Sequence, residues 1–99
     1  MIEVIYNELR QNGVVGSSNE FSKEWLGMEK SYLRCLRAKQ RQPSTKAIAA
    51  CAARLKHLSN ALSSSNKPKL SAAGATFDKL ADKCIEEILH SAKRARHDY

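Results

Sequence analysis

The sequence predicts an all-α fold, and three observations support that prediction. Apolar residues recur at spacings of three and four along most of the chain, no stretch alternates apolar and polar residues like a strand, and neither proline interrupts an apolar-periodic stretch. The chain has 99 residues, of which 42% are hydrophobic. That is enough for one modest core without a metal or disulfides. We therefore expect a compact four-helix domain followed by a C-terminal helix.

Local end signals place the four helices of the expected domain. Asn12-Gly13 offers a left-handed exit from the first helix, Ser17 or Ser18 can cap the second, Gly27 can adopt the positive φ of a tight turn, and Ser44 can cap the fourth. The predicted helices span about residues 2–12, 17–26, 29–38 and 44–62.

A segment rich in Ser, Asn, Lys and Pro follows the fourth predicted helix and indicates a linker. After it, Thr76 can cap a last helix with a broad apolar stripe and a basic tail. The predicted organisation is a helix-turn-helix domain over residues 1–62, a linker over 63–75 and a C-terminal helix with its tail over 76–99.

The positive charge of the chain is concentrated in its middle. The net charge is +7, and between Lys30 and Phe77 there are ten Lys and Arg residues and no Asp or Glu. Clustered basic side chains attract polyanions because they neutralise phosphates and release counterions. A nucleic acid is therefore the partner class that the composition favours.

Several other function classes find no support in the sequence. Cys35, Cys51 and Cys84 are widely spaced and form no zinc-type pair, which indicates reduced thiols in small apolar positions. A redox switch at Cys35, beside two arginines, is the alternative. There is no signal peptide, membrane span, phosphate-binding loop or hydrolase motif. We expect a soluble cytoplasmic protein that is not an enzyme and needs no cofactor.

The third predicted helix has two different faces at about 100° per residue. Lys30, Arg34 and Arg37 form a cationic stripe. The opposite face is apolar and carries Tyr32, Leu33 and Leu36. The ordinary explanation of such a stripe is a solvated helix face, and the alternative is a surface for nucleic acid.

Two aromatic residues near this helix also have two possible roles. Trp25 and Tyr32 could stack on bases, as aromatic residues do in single-strand binders. Their helical spacing beside leucines favours core packing instead, more strongly for Trp25 than for Tyr32.

A stretch of about 30 residues follows a recognisable order: Leu-Gly, a short basic helix, a basic loop, Pro-Ser, and a helix with spaced apolar residues. The residues concerned are Leu26-Gly27-Met28, Ser31-Tyr32-Leu33, Leu36, Pro43-Ser44, Ile48, Ala52 and Leu55. This pattern resembles the helix-turn-helix domain of the Cro and phage-repressor (XRE-like) family. It is also similar to small, uncharacterised helix-turn-helix-like proteins of α-proteobacteria with Phe-Ser-x-x-Trp-Leu-Gly and Leu-x-Ala-Lys-x-Arg-x-Pro-Ser.

The chain departs from the repressor pattern at two points. Phe21-Ser22 takes the place of a Leu-Ala pair, and one residue more than usual separates it from Leu26-Gly27. The glycine usual soon after the recognition helix is replaced by Lys39.

The resemblance implies that the helix over about residues 29–38 enters the DNA major groove. The positions that would read bases are Glu29, Lys30, Ser31 and Arg34. The positions that would hold phosphates are Arg37, Lys39, Arg41, Ser44, Thr45 and Lys46. The implied function is a nucleoid-associated, sequence-specific regulator of transcription. Alternatives are a protein- or RNA-interaction module on the same frame and a nonspecific nucleoid protein.

Domains of this kind usually bind DNA as two-fold dimers. The C-terminal helix and the end of the fourth helix carry more apolar residues than a four-helix core requires. We take these residues as candidates for a homodimer contact. They are Leu58, Leu62, Phe77, Leu80, Cys84, Ile85, Ile88 and Leu89. The alternative is that the C-terminal helix only covers the chain's own core.

Overall fold

The structure, a computed structural model, describes residues 2–64 and 66–97, with the side chains of 2–64 and 66–90. The all-α prediction is confirmed, since the described residues form helices and contain no strand. In chain order the elements are α1 (Ile2–Gln11), α2 (Ser18–Glu20) with a π-helical turn (Phe21–Trp25), α3 (Tyr32–Lys39), α4 (Thr45–Ser63) and α5 (Pro68–His97). None of these helices, as far as they are described, is both long and apolar enough to cross a membrane.

The chain divides into two compact units, residues 1–50 and 51–99. The division falls inside α4 and not at the predicted boundary after residue 62. The prediction of a linker over 63–75 is wrong beyond residue 67, because α5 already begins at Pro68.

The early start of α5 has a local cause. Proline suits the first helical position because its φ is already fixed and its missing N–H would have no partner there. The N–H of Ser71 donates to the carbonyl of Lys67 at 3.1 Å, and the alanines that follow favour helix. Thr76, the predicted cap, lies inside the helix, where its hydroxyl donates to the Ala72 carbonyl. α5 continues to His97, and the side chains of the predicted basic tail lie outside the described residues.

In the first unit, α1 ends as its sequence predicts. Ile2, Ile5 and Leu9 are buried at helical spacing. Gly13 has a φ of 73°, and the N–H of Val14 donates back to the Leu9 carbonyl at 2.8 Å. This left-handed exit satisfies a carbonyl of the last turn and reverses the chain.

α2 begins with a reciprocal cap. The Ser17 hydroxyl accepts the Glu20 N–H at 3.2 Å, and the Glu20 carboxylate accepts the Gly16 N–H at 2.6 Å. Two N–H groups that the helix itself cannot satisfy thus have acceptors. Ser17 is confirmed as the cap, one of the two positions that the sequence allowed.

A π-helical turn, Phe21–Trp25, follows α2 directly. The N–H of Leu26 donates to the Phe21 carbonyl, five residues back, at 3.1 Å. This ring holds one residue more than the ring of an α-helix. Gly27 then takes a φ of 65°, and the Met28 N–H returns to the Ser22 carbonyl at 3.0 Å. The predicted turn at Gly27 is confirmed, and the prediction that Trp25 packs in the core is confirmed as well.

The start of α4 depends on Ser44, as predicted. Its hydroxyl accepts the Ala47 N–H at 3.2 Å, and its carbonyl accepts the Ile48 N–H at 3.1 Å. The N–H of Ser44 itself donates to the Tyr32 hydroxyl at 3.0 Å. Tyr32 therefore links α3 to the first turn of α4.

In the second unit, buried residues of α4 and α5 approach each other closely. Gly74 lies against α4, where the Ser59 hydroxyl donates to the Gly74 carbonyl at 2.8 Å. A methyl group on Gly74 would lie 3.1 Å from the Ser59 carbonyl oxygen and 3.2 Å from the Leu62 Cβ. The backbones can therefore come this near only because residue 74 has no side chain.

The buried Cys51 and Cys84 belong to the same unit, and their thiols are hydrogen-bonded to each other. That contact, together with burial, raises the pKa of Cys51. Cys35 is exposed. The prediction of small apolar positions is thus confirmed for two of the three cysteines.

We expect Gly74→Val to lower the free energy of unfolding by about 1–3 kcal/mol, because the new side chain meets backbone and Cβ atoms that cannot rotate away. Ala75→Val, at an exposed neighbouring position, is the control and should cost no more than about 0.7 kcal/mol of helix propensity. Urea unfolding followed by circular dichroism measures both. Equal losses in the two variants would show that the close approach at Gly74 is not needed.

Candidate nucleic-acid interface

A buried serine joins α2 to α3. The Ser22 hydroxyl accepts the backbone N–H of Leu33 at 3.0 Å and donates to the Ser18 carbonyl at 2.8 Å. Leu33 lies in the first turn of α3, where N–H groups lack helical acceptors. One side chain therefore satisfies a buried donor and sets where α3 starts relative to α2.

The helix over which the sequence places the candidate base readers begins later than predicted. α3 starts at Tyr32, and Glu29, Lys30 and Ser31 form a turn before it. The Tyr32 N–H donates to the Glu29 carbonyl, three residues back, at 2.9 Å. This is the hydrogen bond of a turn and not of an α-helix, so residues 29–31 lie outside α3. Ser31 is the N-cap, with φ −89° and ψ 1°, outside the helical region.

The sequence-predicted contact residues all belong to the first unit, and their side chains are accessible. Ser31 is half-buried. The other nine are exposed: Glu29, Lys30, Arg34, Arg37, Lys39, Arg41, Ser44, Thr45 and Lys46. Three of the four candidate base readers lie in the turn, and Arg34 lies in the first turn of α3.

Arg37 is held by a carboxylate on α1. Its Nε and Nη2 groups donate to the two carboxylate oxygens of Glu3 at 2.5 and 2.8 Å, and its guanidinium lies 5.7 Å from the centre of the Tyr6 ring. The hydrogen bond from Arg37 lowers the pKa of Glu3, and the same bond raises the pKa of Arg37. Arg37 thus fastens α3 to α1, and two of its donors are not free to hold phosphate.

The loop between α3 and α4 is built without the glycine of the repressor pattern. Gln40 takes the left-handed conformation, with φ 51° and ψ 42°, and the Arg41 N–H donates back to the Leu36 carbonyl at 3.0 Å. This backbone turn places Arg41 between the end of α3 and the start of α4.

Ser44, for which the resemblance implies a phosphate contact, already makes hydrogen bonds inside the chain. Its N–H and hydroxyl are both used inside the chain, by Tyr32 and by the first turn of α4. The backbone N–H groups of Thr45 and Lys46 belong to that same first turn, where no helical carbonyl precedes them. They are better placed than Ser44 to meet an anion.

One residue of the basic stretch is neutralised in the second unit. The Lys56 ammonium donates to Asp78 at 2.7 Å and to Asp82 at 3.0 Å. The hydrogen bonds to these two carboxylates raise the pKa of Lys56. The excess of positive charge is therefore smaller in this part of the chain than the sequence count indicates.

The apolar stripe predicted for a dimer contact separates into three classes. Phe77, Leu80 and Cys84 are at most 6% exposed, so they cannot add contact area to a partner, and their assignment to a dimer surface is wrong. Ile85 and Leu89 are 40% and 57% exposed. The half-buried residues are Leu58, Leu62 and Ile88.

Comparison with known proteins places the whole described chain in one family. A family model matches residues 2–97. The chain belongs to DUF6626, a family of unknown function. No curated protein and no solved structure matches it.

Three side chains that shape this surface were not identified from the sequence. Ser22 gave a partial signal, because it replaces the alanine of the repressor pattern at a position next to the turn. Glu3 and Tyr6 gave none, since their partner Arg37 is 34 and 31 positions away in the chain. Such distant pairs leave no periodic pattern.

We expect the Glu3–Arg37 pair to make unfolding depend on pH. The pKa of Glu3 is lower in the folded chain than its ordinary value near 4.5. The pair therefore stabilises the fold fully above the unfolded pKa, and the contribution is lost as the pH falls through the folded pKa. Because both side chains are nearly half exposed, Glu3→Gln should cost only about 0.5–1 kcal/mol at pH 7.

Urea unfolding of wild type and Glu3→Gln at pH 7, 5 and 3 measures this difference. Glu8→Gln, on the same helix and without an ion pair among the described residues, is the control. The Glu3→Gln deficit should shrink towards pH 3. A deficit that stays constant with pH would contradict an ionic contribution.

Proposed function

We propose that the first unit is a helix-turn-helix domain that binds double-stranded DNA, and that the protein is a sequence-specific regulator of transcription. The observation that carries the proposal is the pair α2 and α3, which Ser22 joins across a glycine turn. This pair presents Lys30 and Arg34 to solvent within a chain segment that has no acidic residue for 48 positions. A rigid pair of short helices with a cationic outer edge suits a DNA groove.

The π-helical turn supports the resemblance to the repressor pattern. The chain has one residue more than that pattern between Phe21-Ser22 and Leu26-Gly27. The π turn spans Phe21–Trp25, the same place, and holds one residue more than an α turn. A π turn at this place can take up an extra residue before the tight turn at Gly27.

The surface divides by chemistry into base-reading and phosphate-holding parts. Lys30 and Ser31 in the turn, and Arg34 in α3, would face base edges, where an arginine paired with guanine discriminates by about 1–3 kcal/mol. Phosphates would be held by Lys39, Arg41 and Lys46 and by the first amides of α4. The Glu29 carboxylate would repel phosphates or accept a hydrogen bond from the amino group of a cytosine.

Two copies would bind paired half-sites about one helical turn apart. The exposed part of the α5 stripe, at Ile85 and Leu89 with Ile88 beside them, is the proposed contact between copies. Their spacing of three and four places them on one side of α5, as a helix-to-helix contact requires. A DNA-binding role also implies a place at the bacterial nucleoid.

Selection of bound duplexes from a random pool tests the proposal directly. An enriched sequence, with half-sites related by a two-fold axis, is the expected result. Enrichment of no sequence, together with steep salt dependence, would indicate a nonspecific nucleoid protein instead. Absence of duplex binding at low salt would leave only a protein or RNA partner and would refute the proposal.

We expect Arg34→Ala to weaken binding to the selected duplex about 10- to 100-fold more than binding to random duplex, because a base contact is lost. Lys39→Ala is the matched control on the same helix. It should weaken both duplexes alike and reduce the slope of log affinity against log salt by about one. Fluorescence anisotropy measures these affinities, and an equal loss on both duplexes for Arg34→Ala would assign that residue to phosphate.

We expect Leu89→Glu to raise the dissociation constant of the dimer by at least about tenfold, because a charge would be buried between two copies. Leu70→Glu, at another exposed apolar position of α5, is the control and should leave the dimer intact. Sedimentation equilibrium measures both. A Leu89→Glu protein that dimerises like wild type would exclude this part of α5.

A further inference from the structure

A groove of about 360 Å³ lies beside α3 on the side of α1. Its apolar surface comes from Ile2 on α1, Leu33 and Leu36 on α3, and Pro43 in the following loop. Sites for small molecules typically have volumes of about 300–1,000 Å³, so the groove is large enough for one. All these residues belong to the first unit.

The polar wall of the groove carries a net positive charge. Its charged groups are Glu3, Arg37 and Arg41, and two glutamine amides complete it. Glu3 is paired with Arg37, so the charge of Arg41 is left without a partner among the described residues. Arg37 uses two of its five N–H groups on Glu3 and has others to donate. The groove therefore complements a ligand with an apolar body and one anionic group.

We propose that this groove binds a small organic carboxylate. The apolar part of the ligand would cover the half-buried Leu36 and Pro43. Its carboxylate would accept hydrogen bonds from Arg41 and from the remaining donors of Arg37. An inorganic anion alone would leave the apolar walls uncovered, and a neutral apolar molecule would leave Arg41 unpaired.

The position of the groove gives the ligand a regulatory consequence, which rests on the proposed DNA-binding function. Arg41 is one of the side chains assigned to DNA phosphate. A carboxylate that occupies its donors removes one phosphate contact and one positive charge from the DNA surface. Ligand and duplex should therefore weaken each other's binding by the same factor.

Titration of the full chain with 1-naphthoate, followed by amide NMR shifts, tests the site without DNA. The expected result is saturable shifts confined to the segments around residues 2–3, 33–37 and 40–43. Acetate has the charge without the apolar body, and 1-naphthalenemethanol has the body without the charge, so each should bind at least about tenfold more weakly. Equal affinity for acetate and naphthoate, or shifts spread over the whole chain, would overturn the proposal.

Two variants locate the site. Arg41→Gln should weaken naphthoate about tenfold, the loss expected for one bond between ionised groups. Lys39→Gln removes an exposed charge two residues away that does not line the groove, and its affinity should stay within about twofold of wild type. Equal losses in the two variants would show that naphthoate responds only to the general positive field.

The regulatory consequence has its own measurement. Saturating naphthoate should lower the affinity of the wild-type protein for the selected duplex and leave that of Arg41→Gln unchanged. If the groove binds naphthoate but the protein binds no duplex, the proposed function is refuted and the ligand site is retained. A protein that binds duplex but shows no localised shifts with naphthoate would retain the function and refute the site.

Discussion

The hydrogen bond between the Ser22 hydroxyl and the Leu33 amide is the interaction on which the first unit depends most. It is buried, so the amide would lose its acceptor and gain no water if the serine were removed. It also joins the π-helical turn after α2 to the first turn of α3. Arg34 and Arg37 lie on the helix whose first turn this bond holds against α2.

A second constraint, the Arg37–Glu3 pair, gives α3 its other attachment. Ser22 holds the beginning of the helix, and Arg37 holds its last turn to α1. A short helix of eight residues has little stability of its own and needs such tertiary contacts. One of the cations that the charge pattern offered to DNA is therefore a structural residue, and the groove beside it is part of the same junction.

The features that the sequence predicted well are those with local causes. Ser17, Gly27 and Ser44 act within three or four residues of themselves, so residue type and spacing were sufficient to identify them. The segment over 63–75 was misjudged from its serine, asparagine and lysine residues. Pro68 and the alanines after it favour helix locally, and the contact of Gly74 with α4 adds tertiary support for a helix there. Propensity is a weak guide wherever a tertiary contact of this kind decides.

In the candidate site, too, only the features with local causes could be predicted from the sequence. Exposure of the basic residues was predicted from the two faces of α3, but periodicity cannot tell which apolar residues of α5 meet the chain itself. Phe77 and Leu89 belong to one stripe in the sequence, and only the fold separates the buried one from the exposed one. The pairing of Arg37 with Glu3 could not be predicted either, because no local sequence pattern relates α1 to α3.

Gln40 gives the end of α3 an unusual property. A residue with a Cβ atom in the left-handed region is strained by about 1 kcal/mol compared with glycine at the same place. That strain is released when the last turn of α3 unwinds, so fraying at this end is cheaper than at a glycine-capped helix. Gln40 lines the groove together with Arg41 and Pro43, so the strained residue is part of the groove wall. The Arg37–Glu3 pair is the contact that holds the last turn of α3 against unwinding there.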